Sequence, residues 1–178
     1  MKGIILIEGP DGSGKSSLAK RIINDNGYGK YLHADYKFKN NIPLYHLALL
    51  KKAIKLSKKT LVIIDRLHIS EYIYAKVFRG GTKWPKQLNE FNKICKHLNI
   101  PIIICVPNSV ERGIEWFNEN KDTRKELYKD NLEKVIEEYI KYTKNHNEVI
   151  TYNRDYNDIY YDWYYKDTFD ILERLLNE

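Results

Sequence analysis

The chain has 178 residues, of which 43% are hydrophobic and 30% are charged, and its formal net charge is +6 at neutral pH. This length and composition predict one globular domain spanning residues 1–178, and no apolar run is long enough to cross a membrane. Basic residues are interleaved with acidic ones along the chain, so the positive charge does not favour a nucleic-acid partner.

Short apolar segments alternate with longer segments in which apolar residues recur every three or four positions. The short segments predict strands at residues 3–7, 60–64 and 101–106, with weaker candidates at 30–34 and 148–152. The longer segments predict helices at residues 15–26, 44–57, 69–78, 85–98, 110–118, 124–144 and 162–176. The alternation predicts an α/β fold, a three-layer α/β/α sandwich around a mostly parallel sheet of about five strands.

The least regular stretches are residues 27–41, 79–84 and 118–124. We expect them to form loops over the carboxyl ends of the strands, where α/β sheets bind ligands.

The two cysteines, Cys95 and Cys105, belong to no metal-binding motif. They indicate reduced thiols in a cytoplasmic protein, and Cys105 lies within an apolar run that predicts burial. The apolar start of the chain leads into a glycine-rich loop rather than a cleavage site, so no secretory signal is expected.

The first predicted strand is followed by GPDGSGKSS, which matches the pattern G-x-x-x-x-G-K-[ST]. Glycines allow the backbone to wrap around a phosphate with its N–H groups pointing inward, and the following helix directs its positive end at the anion. Lys15 supplies an ammonium to the β- and γ-phosphates and Ser16 supplies a hydroxyl to magnesium. The motif predicts a site for ATP and Mg²⁺ built from Gly9, Asp11, Gly12, Ser13, Gly14, Lys15, Ser16 and Ser17.

A second acidic site is predicted where the run LVIID ends at Asp65. Such a carboxylate commonly accompanies the magnesium of a phosphate-loop protein. Motor-type and DNA-translocating ATPases usually place a water-activating glutamate next, whereas this chain has Arg66. Because a guanidinium suits a second phosphate better than it suits a hydrolytic water, the pair indicates phosphoryl transfer between two bound molecules.

These residues resemble the thymidylate kinase family of nucleoside monophosphate kinases. The segment GPDGSGKSSLAKRI, preceded by Glu8, is similar to that family's (F/I)EGxDGxGK(S/T)(T/S)xxxxL. The segment DRLHISEYIYAKVFRG is similar to DRxxxSxxxYxxxxRG, and CVPNSVERG and VITYNRDYNDIY correspond more loosely to later parts of the family. In the second of these segments, the residues that match the family pattern are Asp65, Arg66, Ser70, Tyr74, Arg79 and Gly80.

The resemblance implies a doubly wound fold, ATP as donor, Mg²⁺, and a pyrimidine deoxynucleoside monophosphate, foremost dTMP, as acceptor. It also implies a homodimer and a role in nucleotide biosynthesis in the cytoplasm. An excess of Lys, Asn, Ile and Tyr suggests an AT-rich genome, such as that of a virus, for which the compartment would be the host cytoplasm. In this chain Asp11 would lie near the acceptor sugar, Asp65 near magnesium, Arg66 at the acceptor phosphate, and Ser70 and Arg79 along the acceptor pocket.

Family members without a basic residue inside the phosphate loop carry their catalytic arginines on a lid. This chain has Gly12 at the corresponding position, so the resemblance points to a lid at about residues 118–126. Its candidate cations are Lys121, Arg124 and Lys125, with Arg124 the first choice.

The chain departs from the family pattern in the region that would approach the acceptor base and sugar. HADYKFKNNIP stands where the family has an Arg-Glu-Pro turn, which leaves Lys37 or Lys39 as substitutes. Tyr36 or Phe38 could stack on a base, and His68 could contact a ligand. These departures leave thymine specificity open.

Three other interpretations remain. The chain could be a deoxynucleoside kinase, whose acceptor is a hydroxyl, or a polynucleotide 5′-kinase. It could also be a non-catalytic nucleotide-binding module, although Lys15, Ser16, Asp65 and Arg66 argue against that.

Overall fold

A computed structural model describes residues 2–35, 40–119, 131–156 and 158–160 of the chain. The strands of these residues are β1 Gly3–Glu8, β2 Lys30–His33, β3 Leu61–Asp65, β4 Ile102–Cys105, β5 Ile150–Asn153 and β6 Asp158–Tyr160. Their helices are α1 Lys15–Asp25, α2 Ile42–Ser57, α3 His68–Arg79, α4 Pro85–His97, α5 Val110–Glu119 and α6 Leu132–Asn145. None of these helices is long and apolar enough to cross a membrane.

The strands form one sheet in the order β2-β3-β1-β4-β5-β6. The first five strands in this order are parallel, and β6 pairs with β5 in the antiparallel sense at the edge. The connection from β1 leads across β3 to β2, whereas the connection from β3 leads back across β1 to β4. Because the two connections leave in opposite directions, a crevice is expected beyond the carboxyl ends of β1 and β3.

Alternate residues of the central strands face two separate cores. Leu6, Ile64 and Ile104 face the core that α2, α3, α4 and α6 cover. Ile7 and Ile63 face the core that α1 covers, together with Cys105, as expected for this buried thiol. Strands buried on both faces need continuous apolar runs, which explains why GIILIE and LVIID have no alternating polar residues. The three-layer α/β/α sandwich predicted from the sequence is thus confirmed.

The differences from the predicted elements have local causes. Helix α2 begins at Ile42 rather than at residue 44, because the side chain of Asn41 accepts the N–H of Leu44 at 3.0 Å and Pro43 fits the first turn. The sequence did not predict β6, a strand of only three residues. The predicted helix at residues 162–176 and the first part of that at 124–144 lie outside the described residues.

Candidate functional site

The phosphate loop connects the carboxyl end of β1 to the first residue of α1. Gly9, Gly12 and Gly14 have φ angles of 143°, 83° and 86°, which favour glycine. A Cβ on Gly9 would lie only 2.4 Å from the carbonyl oxygen of Cys105, so this position also has no room for a side chain. Gly14 provides no side-chain cap to α1, which leaves N–H groups of the first turn available to an anion.

Lys15 lies within the wrapped loop. Its Nζ donates to the carbonyl oxygen of Pro10 at 2.6 Å, and the residue is only 7% exposed. Burial, reinforced by the charge of Arg66, lowers the pKa of Lys15 to about 8. Ser13 donates to the same carbonyl at 2.9 Å. The loop is therefore held closed by its own side chains, with a cationic group that bound phosphates would stabilise.

Asp65 ends β3 beside this loop and is 3% exposed. Its Oδ2 accepts a hydrogen bond from the hydroxyl of Tyr31 and lies 3.3 Å from Nδ1 of His33. Burial alone would raise the pKa of Asp65, but the hydrogen bond with His33 and the charge of Lys15 outweigh burial and lower the pKa. The carboxylate is consequently ionised at neutral pH.

The residues present fit a magnesium ion carried by a nucleotide. Oδ1 of Asp65 is buried and has no hydrogen-bond partner among the described residues, which suits an oxygen that meets a ligand. Ser16 is exposed at the start of α1. The described residues contain no cluster of three or more His, Cys, Asp and Glu side chains that could hold a metal. The carboxylate of Asp65 suits Mg²⁺, which is usually bound by one or two carboxylates together with substrate phosphates and water.

Arg66 follows Asp65 with a left-handed backbone, at a φ angle of 71°. Its guanidinium lies 2.6 Å from Asp11 of the phosphate loop and 3.1 Å from the hydroxyl of Ser70, and it stacks 5.0 Å from the ring centroid of Tyr74. Burial opposes ionisation of Asp11, but the charges of Arg66 and Lys15 outweigh it and lower the pKa of Asp11. The structure thus brings the predicted residues Asp11, Arg66 and Ser70 together.

Glu8, the last residue of β1, fixes the start of α3. It is fully buried, and its carboxylate accepts the N–H groups of Leu67, Ile69 and Ser70 at 2.8–3.2 Å, as well as the hydroxyl of Ser70. Burial raises the pKa of Glu8 to about 7, although the hydrogen bonds from Ser70 and Leu67 act in the opposite direction. The hydroxyl of Ser70 also lies 2.7 Å from that of Tyr139 on α6. Glu8 therefore orients the turn that carries Arg66.

Sequence reasoning did not identify Arg154 as a site residue. It follows β5, donates to the carbonyl oxygen of Gly12 at 3.1 Å, and its Cβ would lie 3.4 Å from a Cβ on Gly14. The guanidinium stacks 4.7 Å from the ring centroid of Trp116 and forms an ion pair with Glu119. The structure thus places a cation from the far end of the chain against a phosphate loop that has no basic residue at Gly12.

Two other predicted residues, Arg79 and His68, lie outside the cluster of Asp11, Arg66 and Ser70. Arg79 is the last residue of α3, faces the side of the helix opposite Ser70, and pairs with Glu71 at 2.7 Å. His68 is 2% exposed, stacks on Phe91 of α4, and its Nε2 lies 2.6 Å from Oδ1 of Asn92. Ser17 is exposed in the first turn of α1. The candidates outside the described residues are Tyr36, Lys37, Phe38, Lys39, Lys121, Arg124 and Lys125.

No protein-family model matches the chain, and no curated protein is significantly similar to it in sequence. Several solved structures share its fold. The YorR protein of Bacillus subtilis, in complex with phosphorylated GDP, matches with a TM-score of 0.66 at 16% identity over 99% of both chains. Deoxyadenosine kinase from M. mycoides, with bound dATP, matches with a TM-score of 0.57 at 17% identity over 99% of this chain and 100% of its own.

Thymidylate kinase from Candida albicans matches with a TM-score of 0.50 at 19% identity, over 85% of this chain and 83% of its own. The chain therefore has the fold of P-loop nucleotide kinases. Because the identities are all below 20%, the likeness establishes the fold and leaves the substrate open.

Proposed function

We propose that the chain transfers the γ-phosphoryl group of MgATP to a deoxynucleoside monophosphate, with dTMP as the first acceptor to test. The observation that carries this proposal is the position of Arg66, which lies beside the candidate metal carboxylate Asp65 and contacts Asp11 on the phosphate loop at 2.6 Å. A buried guanidinium at the edge of a donor site suits a second phosphate in line with the first.

The proposed reaction needs positioning and charge neutralisation rather than covalent help from the protein. The phosphate loop and Lys15 would hold the donor phosphates, and Ser16 and Asp65 would hold a magnesium ion, which would neutralise charge on the phosphates. An oxygen of the acceptor phosphate forms a bond to the γ-phosphorus, while the bond from that phosphorus to the ADP oxygen breaks. Since the attacking oxygen is already anionic, no protein group has to remove a proton.

Arg66 would exchange partners when the acceptor binds. In the structure its charge is balanced by Asp11, whose side chain is 40% exposed, while that of Arg66 is 9% exposed. An acceptor phosphate can approach the guanidinium from the side of Asp11 and share or replace that contact. The contacts with Ser70 and Tyr74 hold the guanidinium in place during the exchange.

A deoxynucleoside acceptor is the second candidate, and the same Arg66–Asp11 pair favours it. A hydroxyl acceptor must lose its proton, and Asp11 offers a half-exposed carboxylate within the phosphate loop, which its lowered pKa keeps ionised and able to accept a proton. In that reaction Arg66 would orient Asp11 rather than bind a phosphate. The two candidates share the donor site and differ in the acceptor and in the roles of Asp11 and Arg66.

The test is a coupled assay of ADP release with MgATP and a panel of acceptors: deoxynucleosides, deoxynucleoside monophosphates and oligonucleotides with a 5′-hydroxyl. We expect release with monophosphates and a loss of at least a hundredfold in kcat for Lys15→Ala, since that variant lacks the loop cation. Release with deoxynucleosides alone would favour the second candidate. Oligonucleotide-dependent release, full activity of Lys15→Ala, or tight ATP binding without turnover of any acceptor would each contradict the proposal.

A further inference from the structure

Two side chains of the edge strand β2 converge on one oxygen of Asp65. His33 is the register partner of Asp65 in the neighbouring strand, and Tyr31, two residues earlier, shares its face of the sheet. The hydroxyl of Tyr31 donates to Oδ2 of Asp65, and Nδ1 of His33 lies 3.3 Å from the same atom. The two rings are nearly parallel, with an interplanar angle of 13° and centroids 6.5 Å apart.

The second oxygen of the Asp65 carboxylate, Oδ1, has a different environment. Oδ1 of Asp65 is buried and has no hydrogen-bond partner among the described residues. An ionised oxygen that is buried without a partner is costly, and proteins accept this mainly where a ligand completes the site. The asymmetry between Oδ1 and Oδ2 therefore indicates that one oxygen is held by the protein and the other is kept for a ligand.

We infer that Tyr31 and His33 are positioning residues for the divalent cation of the donor nucleotide. By engaging Oδ2 they fix the rotation of the carboxylate, so that Asp65 presents Oδ1 alone. Mg²⁺ demands near-ideal octahedral geometry, which makes the orientation of a single carboxylate ligand important, and partners behind a metal ligand commonly set its affinity. The inference rests on the proposed function only in that the cation arrives with a nucleotide.

The two residues contribute unequally. The hydroxyl of Tyr31 always carries a proton to donate to Oδ2, whereas Nδ1 of His33 donates only when that nitrogen carries the ring proton. The side chain of His33 is 52% exposed and its Nδ1 lies 3.3 Å from Oδ2, so water can take its place. Loss of the Tyr31 hydroxyl should therefore weaken the metal site more than loss of the His33 ring.

The experiment measures Mn²⁺ binding to the full chain with ADP bound, by electron paramagnetic resonance, together with ADP affinity in the absence of metal. For Tyr31→Phe we expect Mn²⁺ affinity of the ADP complex to fall by about tenfold or more. For His33→Gln we expect a smaller fall, and for both variants metal-free ADP affinity should stay within about twofold of the wild type. Tyr28→Phe, which removes an equivalent hydroxyl from an exposed position just before β2, is the matched control and should bind Mn²⁺ like the wild type.

The inference is overturned if Tyr31→Phe and His33→Gln both bind Mn²⁺ within twofold of the wild type while Asp65→Asn loses the metal. If Tyr31→Phe does not fold, as judged by its thermal transition, His33→Gln is tested alone. Mn²⁺ binding by His33→Gln within twofold of the wild type then overturns the inference. A wild-type chain that binds no ADP would overturn both this inference and the proposed function. Equal losses in Tyr31→Phe and Tyr28→Phe would also overturn it, since the effect would then not depend on contact with Asp65.

Discussion

At the scale of single residues, the site depends on backbone conformations that most side chains avoid. Arg66 has a φ angle of 71°, and its N–H donates to the carbonyl oxygen of Ile7 at 2.9 Å. A left-handed arginine costs about 1 kcal/mol relative to glycine, and such strain persists only where the surroundings enforce it. Here the enforcing groups are Asp11, Ser70 and Tyr74, which place the guanidinium at the phosphate loop.

Gly9→Ala tests the close approach of the phosphate loop to β4. The new Cβ would lie 2.4 Å from the carbonyl oxygen of Cys105, so the loop must shift, and we expect a loss of about 1–3 kcal/mol in the free energy of unfolding. ATP affinity should fall as well, because the displaced loop no longer wraps the phosphates. Both quantities are measured by urea unfolding and calorimetry.

Gly3→Ala is the matched control for this substitution. Gly3 has a φ angle of 140°, close to the 143° of Gly9, but a Cβ there would meet no atom within 4 Å. Gly3→Ala therefore measures the loss in the free energy of unfolding that the backbone conformation alone causes. Equal destabilisation of the two variants would show that the contact with Cys105 is unimportant.

His68 makes stability depend on pH. Burial lowers its pKa to about 4, from an ordinary value of 6.5. Below pH 6.5 the unfolded chain therefore binds a proton that the folded chain does not, and the contribution of His68 to stability is lost as the pH falls from 6.5 towards 4. Between pH 7 and pH 5 we expect this loss to reach about 2 kcal/mol.

The measurement is the free energy of unfolding of the wild type and of His68→Gln at both pH values. Other titrating groups are shared by the two proteins, so the difference between them isolates His68. The wild type should lose more stability than His68→Gln on acidification. An identical pH dependence of the two proteins would show that the pKa of His68 is not lowered by folding.

At the scale of elements, the important connection is the one between β1 and α3. Glu8 comes from the central strand, yet it accepts N–H groups at the start of a helix that lies 60 residues further along the chain. This contact ties the phosphate loop, which follows Glu8, to the turn that carries Arg66. The pattern around GPDGSGKSS predicted the loop, but only the packing of α3 on the sheet explains why a glutamate precedes it.

Glu8→Gln, Ser70→Ala and the double variant test this connection. An amide cannot replace all the acceptor capacity of the carboxylate, so we expect Glu8→Gln to lose about 1–3 kcal/mol of stability. Because Glu8 and Ser70 share hydrogen bonds, the double variant should lose less than the sum of the single losses, by about 1 kcal/mol. Strictly additive losses in urea unfolding would contradict a direct interaction.

At the scale of the whole molecule, the sequence predicted features that depend on neighbouring residues. It did not predict contacts between residues that lie far apart in the chain. Lys15 and Ser16 were identified because their spacing along the chain is itself the signal, and the buried strands because their apolar runs are continuous. Tyr31 meets Asp65 across 34 residues, and Arg154 meets Gly12 across 142 residues. Such contacts depend on strand register and on the β5 turn, which no local pattern specifies.

In the proposed function, the phosphate loop and Arg66 form one kinase centre with separate donor and acceptor sides. The most direct test follows phosphoryl transfer from MgATP to dTMP by ³¹P nuclear magnetic resonance, in the wild type and in Arg66→Gln, with ATP affinity measured in both. We predict growth of the acceptor diphosphate signals in the wild type. For Arg66→Gln we predict a rate at least a hundredfold lower, with ATP affinity changed by no more than about threefold. Release of inorganic phosphate at a rate independent of any acceptor, or unchanged transfer by Arg66→Gln, would contradict a kinase centre in which Arg66 holds the acceptor.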